Sequence, residues 1–400
     1  MRSRRESRAG GARGDRRHRR RLRPGRRRSR RRPHRRDRAI PGSGPAGDRR
    51  DGAAGPAGRR GRAHASRRGG GRRAERRRLR VGHDGGGLRR RDHHLRLRLA
   101  GARPDAHLGS AARKAGAVVN VHAENGDMLD HCTRTLLAAG RHDPRYYAQS
   151  RPTLAEAEAT RRAIDYAALV DAEIYIVHLS CADALEAVSA ARRRGLRVWA
   201  ETRPIYLALT EERYEIGGTE AAKFVGAPPL RTARDQAALW DGLRAGDIQA
   251  IGSDNTSWTV EQKAAGAQDF TKVPYGVPGL ETEMPVIYSE GVSRGRIPLQ
   301  TFVAAFSTNP ARIFGLYPQK GTIAVGSDAD LVLFDPARAG IVDERRLHSR
   351  AGYDPFNGFA LQGLLVLTLA RGEVIARDGQ FVGQLGRGRH LLRHRSHTGA

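Results

Sequence analysis

Glu173-Ile174-Tyr175-Ile176-Val177-His178-Leu179-Ser180-Cys181-Ala182-Asp183-Ala184-Leu185 is the stretch that decides the fold. Residues 173–177 form a short apolar run with β-branched and aromatic side chains, which reads as a buried strand. The run ends at His178, and 182–194 then takes on helical periodicity. The same grammar recurs on both sides. Upstream, 117–121 (AVVNV) is a strand that ends at His122. A helix over 153–170 follows, opening on Thr153-Leu154-Ala155-Glu156, a capping box in which each end satisfies the other's backbone N–H. Downstream, 196–200 and 248–251 are strands, the second running into Gly252-Ser253-Asp254. Strands alternating with helices imply an α/β fold, a parallel sheet joined by right-handed crossovers.

In such sheets chemistry gathers beyond the carboxyl ends of the strands. His122, His178 and Asp254 each stand where an expected strand runs out. Singly, each has a bland explanation: a hydrogen-bonded structural histidine, or an aspartate capping a helix. Three at three strand ends favour one shared site. The residue types suit a metal, since neutral imidazole and carboxylate are good ligands for zinc. The two imidazoles and the carboxylate are therefore expected to converge on one pocket.

Past residue 321 the crossover helices stop. Residues 330–334 (DLVLF), 364–370 and 373–376 read as short strands, the last followed by the turn Arg377-Asp378-Gly379. This predicts a smaller β unit over 321–390. The tail, from residue 386 to the end and most markedly over 391–400, is basic and expected to be loosely ordered.

The net charge of +31 is not spread along the chain. Residues 1–110 hold 39 Arg, no Lys and nine acids, whereas 111–400 holds 34 basic and 33 acidic residues. The near-neutral part can bury a sizeable core. The Arg/Gly/Ala-rich part cannot, and three readings of it compete. It is a disordered segment, a polycationic arm for nucleic acid, or a GC-rich gene translated out of frame. No aromatic residue stands in it for base stacking, which weakens the nucleic-acid reading. Back-translating 58–67 and starting one base later permits Gly-Val-Glu-Val-Ala-His-Thr-His-Arg, which favours the third. His93 and His94 are adjacent and expected outside any strand.

Cys132 and Cys181 form no CxxC pair, no apolar run is long enough for a membrane span, and the N-terminus has no apolar signal core. A cytoplasmic protein without membrane association is the default expectation.

Beyond these patterns, several motifs stand in one order: Val121-His122-Ala123-Glu124-Asn125-Gly126-Asp127, Val177-His178-Leu179-Ser180-Cys181, Glu201-Thr202-Arg203-Pro204, Ala227-Pro228-Pro229-Leu230-Arg231, Gly252-Ser253-Asp254, and the stretch from Lys320 to Asp330. Together, over about 111–390, they resemble the hydantoinase/dihydropyrimidinase branch of the amidohydrolase superfamily. The resemblance implies a (β/α)8 TIM-type barrel, here 111–320 and lacking its first strands, plus a β-sandwich portion over 321–390. It implies two divalent metals, usually zinc, that activate water against a ring amide of a small cyclic amide or imide. It implies a homo-oligomer, often a tetramer. By the same resemblance His122 and His178 hold the second metal, Asp254 holds the first and acts as base, and Ala227 and Tyr275 lie in the substrate pocket.

The departures weigh as much. The family's His-x-His pair and carboxylated lysine have no counterpart in the chain as read, because before His122 the only lysine is Lys114. Ala227 stands where the family often has Ser, Tyr275 where an Asn is usual, and Asn255 where a His commonly follows the Asp. The expectation is a cyclic amidohydrolase by lineage that binds fewer than two metals per subunit. The alternatives are a non-catalytic scaffold of the same fold and, with less support, a nucleic-acid binder.

Overall fold

The computed structural model describes residues 94–98 and 106–393, with side chains from 109 onward. The chain divides at Arg76/Arg77, and every described residue belongs to the second unit. That unit opens with β1 (His94–Arg98), α1 (Ala106–Ala115) and β2 (Val118–His122). Then come α2 (Gly126–Ala138), α3 (Thr153–Leu169), β3 (Ile174–Ile176), α4 (Ala182–Arg193) and β4 (Val198–Thr202). Two short helices, α5 (Pro204–Ala208) and α6 (Gly218–Ala222), precede α7 (Ala233–Ala245) and β5 (Ala250–Ile251).

The five strands pair in parallel in the order β1-β2-β3-β4-β5. Each crossover therefore steps in one direction, and the order never reverses as it does in a doubly wound sheet. One-way right-handed steps curl a twisted sheet into the wall of a barrel. The two-residue period of the strands splits their side chains between two faces. Val119, Val121, Ile174, Ile176, Val198 and Ala200 pack outward with helical residues such as Ala159, Ala163, Ile164 and Val188. Val118, Tyr175, Val177 and Ala250 form a separate cluster with Ile313 on the inner face. His122 shares the parity of Val118, and Glu201 that of Trp199, which packs on the inner cluster, so both point to the barrel interior.

Four expectations change. His94, expected outside any strand, opens β1, which lies within the 1–110 stretch expected not to fold. Leu95 and Leu97 alternate with polar residues there, a two-residue period hidden by the arginine-rich background. The capping box at Thr153 does not form: Pro152 is the N-cap of α3, and the Thr153 hydroxyl faces Asp183 at 3.5 Å. Glu156 instead receives the Ser180 N–H at 2.7 Å, the Ser180 hydroxyl, and Arg231 at 2.9 Å. A buried guanidinium outbids a local backbone donor for a carboxylate. The tail is not loose at its start, because Arg387 donates to Ala370 O at 2.6 Å and pairs with Glu373. The remaining expectations about 1–93 and 394–400, including the polycationic arm and the frame loss, lie outside the described residues.

Past the barrel, β6 (Leu331–Ile341), β7 (Ala360–Ala370), β8 (Glu373–Arg377) and β9 (Gln380–Phe381) form an antiparallel sheet in that order. Among the described residues it is a single layer, the β unit expected over 321–390. Ser289 ties it to the barrel side, accepting the Gln362 N–H at 2.8 Å and donating to Gln362 O at 3.1 Å.

Candidate metal centre

His122 is the last residue of β2, and His178 stands two residues past β3. Parallel pairing of these neighbouring strands brings the two imidazoles together. His122 Nδ1 lies 2.9 Å from His178 Nε2, with ring centroids 4.7 Å apart and edge to face. The other nitrogen of His122, Nε2, meets Glu124 Oε2 at 2.8 Å. Glu124 is 1 % exposed and is held from behind by Arg151, whose Nε donates to Oε1 at 3.0 Å and whose Nη2 bonds Oε2. Burial alone raises the Glu124 pKa, but Arg151 and His122 outweigh it and hold the carboxylate well below its ordinary range. An ionised Glu124 accepts a hydrogen bond from His122 Nε2–H, which favours the tautomer that turns the Nδ1 lone pair toward His178. Burial, followed by the His122 and Arg203 charges, pushes His178 well below the usual histidine range, which favours its neutral form. The Nδ1 of His178 is buried without a hydrogen-bond partner.

The backbone is strained where the chemistry is expected. His178 has φ +41° and Asp254 φ +45°, in the left-handed region that non-glycine residues avoid. At His178 the surroundings enforce it: its N–H donates to Glu201 Oε1 at 3.3 Å, Leu179 N–H to Glu201 O at 2.7 Å, and Thr202 to Leu179 O at 2.8 Å. Glu201 also accepts from the Tyr175 hydroxyl at 2.7 Å. Gly252 is a glycine for the same reason, because a Cβ there would fall 2.5 Å from Glu201 Oε2.

Asp254, three residues past β5, does not complete a three-donor set with the histidines, and no such group of His, Cys, Asp or Glu exists among the described residues. The expected three-way convergence thus becomes a pair. Beside Asp254 stands Arg203, 1 % exposed, which follows β4. Its Nε donates to Ser253 O at 2.9 Å and its Nη2 to Asp254 O at 3.4 Å, and its Nη1 lies 3.8 Å from Asp254 Oδ2. Asp254 is nonetheless at the same end of the barrel, since its charge and that of Arg203 both act on Glu201.

Ala227 and Tyr275 sit on two loops joined by Lys263, which belongs to α8 (Val260–Ala264). The Lys263 ammonium is 0 % exposed and donates to Val225 O at 2.7 Å and Pro274 O at 2.8 Å. Burial and the Arg203 charge lower its pKa to about 7. Tyr275, 46 % exposed, lays its ring 5.2 Å from the Arg151 guanidinium and 5.7 Å from the Tyr147 ring. It roofs the chain of groups that leads through Glu124 to His122. Glu124, Arg151, Arg203 and Lys263 went unnoticed in the sequence; the motifs His122-Ala123-Glu124 and Glu201-Thr202-Arg203 could have flagged Glu124 and Arg203, while Arg151 and Lys263 stand in none of the motifs.

The profile of the Amidohydrolase family matches residues 106–375. The chain belongs to the amidohydrolase family. Within it the chain falls in the hydantoinase branch. It is 46 % identical to a D-hydantoinase of Geobacillus stearothermophilus over 284 residues, 71 % of this chain and 60 % of that protein. It superposes on the D-hydantoinase of Bacillus sp. AR9 with TM-score 0.72 and 43 % identity, covering 75 % of this chain and 68 % of that one. The dihydropyrimidinase of Brevibacillus agri NCHU1002 gives TM-score 0.73 and 44 % identity, over 75 % and 67 %. This amidohydrolase chain spans about 60 % of the length of the curated relatives it matches. The parallel sheet is thus part of a TIM-type barrel, and the antiparallel layer is the β unit beside it. No described helix is long and apolar enough to cross a membrane.

Proposed function

We propose that this chain is a metal-dependent hydrolase by lineage, opening the ring amide of a hydantoin, a dihydropyrimidine or a related cyclic imide at a carbon–nitrogen bond that is not a peptide bond. The observation that carries the reading is the pair of facing nitrogens, His122 Nδ1 and His178 Nε2, 2.9 Å apart at the strand ends. His122 Nδ1 and His178 Nε2 would hold a divalent cation between them in place of the hydrogen bond they now make. The donors therefore fit one cation on His122 and His178, and nitrogen ligands favour zinc. When bound, such a cation polarises the ring carbonyl as a Lewis acid.

The chain's own groups do the rest. Glu124, anchored by Arg151, fixes the His122 tautomer and ring orientation. Asp254 is the carboxylate placed to accept a proton at Oδ1 or Oδ2. Lys263 locks the loops of Ala227 and Tyr275, whose main chain orients the ring amide. Tyr275 keeps water from the Arg151–Glu124 pair. With two imidazoles in hand and Asp254 drawn to Arg203, the chain holds fewer than two metals per subunit and turns over slowly. The reading places it in the cytoplasm as a homo-oligomer, a tetramer by resemblance. A second reading, a non-catalytic scaffold of the same fold, is favoured by the Arg203–Asp254 contact.

The test is ring opening of hydantoin and dihydrouracil by the full chain, alongside metal content by elemental analysis. Slow, metal-dependent turnover that disappears in His178→Ala supports the hydrolase. Unchanged turnover in that variant contradicts it.

A further inference from the structure

A guanidinium buried to 1 % exposure inside a barrel needs a reason. Arg203 is held by the Ser253 and Asp254 carbonyls, stands 3.8 Å from the Asp254 carboxylate, and lies 5.7 Å from the Tyr206 ring centroid. Its charge reaches His178 on one side and Asp254 on the other. We propose that Arg203 is a built-in competitor of the metal: a fixed cation that engages Asp254 and sets up a positive field against a divalent ion on the His122–His178 pair. The inference rests on the reading of that pair as the metal-binding position.

Two effects act together. The ion pair draws Asp254 toward Arg203, so a third donor is kept from the histidines. The unit charge of Arg203 also repels a doubly charged ion at short range in a poorly screened interior. Tyr206 and the two carbonyls stabilise the guanidinium without neutralising it, and the Asp254 carboxylate, 3.8 Å away, offsets its charge only in part. Nothing in this arrangement requires Arg203 to touch a substrate, and it acts only through Asp254 and the field.

The experiment is calorimetric titration of the full chain with Zn²⁺ or Co²⁺, comparing the wild type with Arg203→Met, Arg203→Gln and Arg203→Lys. Gln keeps a donor for the Ser253 carbonyl if Met fails to fold, and thermal melts report folding for each. Removing the charge (Met or Gln) is expected to tighten cation binding about tenfold or more, whereas Lys stays within about threefold of the wild type. The gain is expected to shrink when Asp254→Asn is added, since part of it is the released carboxylate. Equal or weaker binding in a folded Met or Gln variant, with binding still dependent on His122, overturns the inference and leaves the metal reading standing. Cation binding that is unaffected by His122→Ala in the wild type removes the metal reading and the inference with it.

Discussion

His178 and Asp254 stand in similar places, each just past a parallel strand and each with positive φ, yet they are prepared for different things. On the histidine side the facing nitrogens are aimed at each other, and a buried carboxylate and its arginine orient His122 from behind. On the aspartate side the arginine approaches the candidate ligand itself. The difference teaches that standing at a strand end is a property of the fold, while readiness for a metal depends on where the nearest opposite charge sits. An arginine that acts through Glu124 organises a donor; an arginine in contact with the donor competes for it.

The largest expected effect breaks the histidine side. Glu124→Ala leaves Arg151 buried and uncompensated and frees the His122 ring, so it costs about 3–5 kcal/mol in denaturant unfolding and abolishes His122-dependent cation binding. A loss under about 1 kcal/mol would show that the pair is solvated.

Next is Gly252→Ala, which presses a methyl onto Glu201 and through it disturbs the His178 turn. We expect a loss of about 1–3 kcal/mol by the same measurement, and a neutral result would mean that Glu201 can swing aside.

Lys263 gives a pH test of the pocket loops. Its folded pKa is about 7 against 10.5 for an ordinary lysine, so the unfolded chain binds more protons between those values. The penalty for burying this amine is fully present below about pH 7 and fades as pH rises toward 10.5. Stability should therefore gain up to about 1.4 kcal/mol per pH unit from this group within that window. The gain is read as the difference in pH slope between the wild type and Lys263→Met, and parallel slopes would refute it.

The smallest effect is at the sheet edge. Arg387→Ala removes an exposed ion pair and one carbonyl contact, for about 1 kcal/mol or less in a thermal melt. A larger loss would show that the tail is part of the β unit's core.

Much of the fold was legible in the sequence because local period and strand-end residues carry it. The runs read at 173–177 and 196–200 became Ile174–Ile176 and Val198–Thr202, and the helix read at 153–170 became Thr153–Leu169. What failed was long-range. Glu156 fits a local cap by spacing, but Arg231, 75 residues away, claims it. The pairing of His122 with His178 followed from strand ends, while the contact of Asp254 with Arg203, 51 residues earlier, is one for which no local rule exists. Strand β1 was lost because its leucines sit among arginines and histidines.

The most direct test counts cations. Purified full chain, stripped and titrated with Zn²⁺, is predicted to bind fewer than two ions per subunit, to lose that binding in His122→Ala and in His178→Ala, and to keep most of it in Asp254→Asn. Two zinc ions per subunit with full ring-opening turnover would contradict the account.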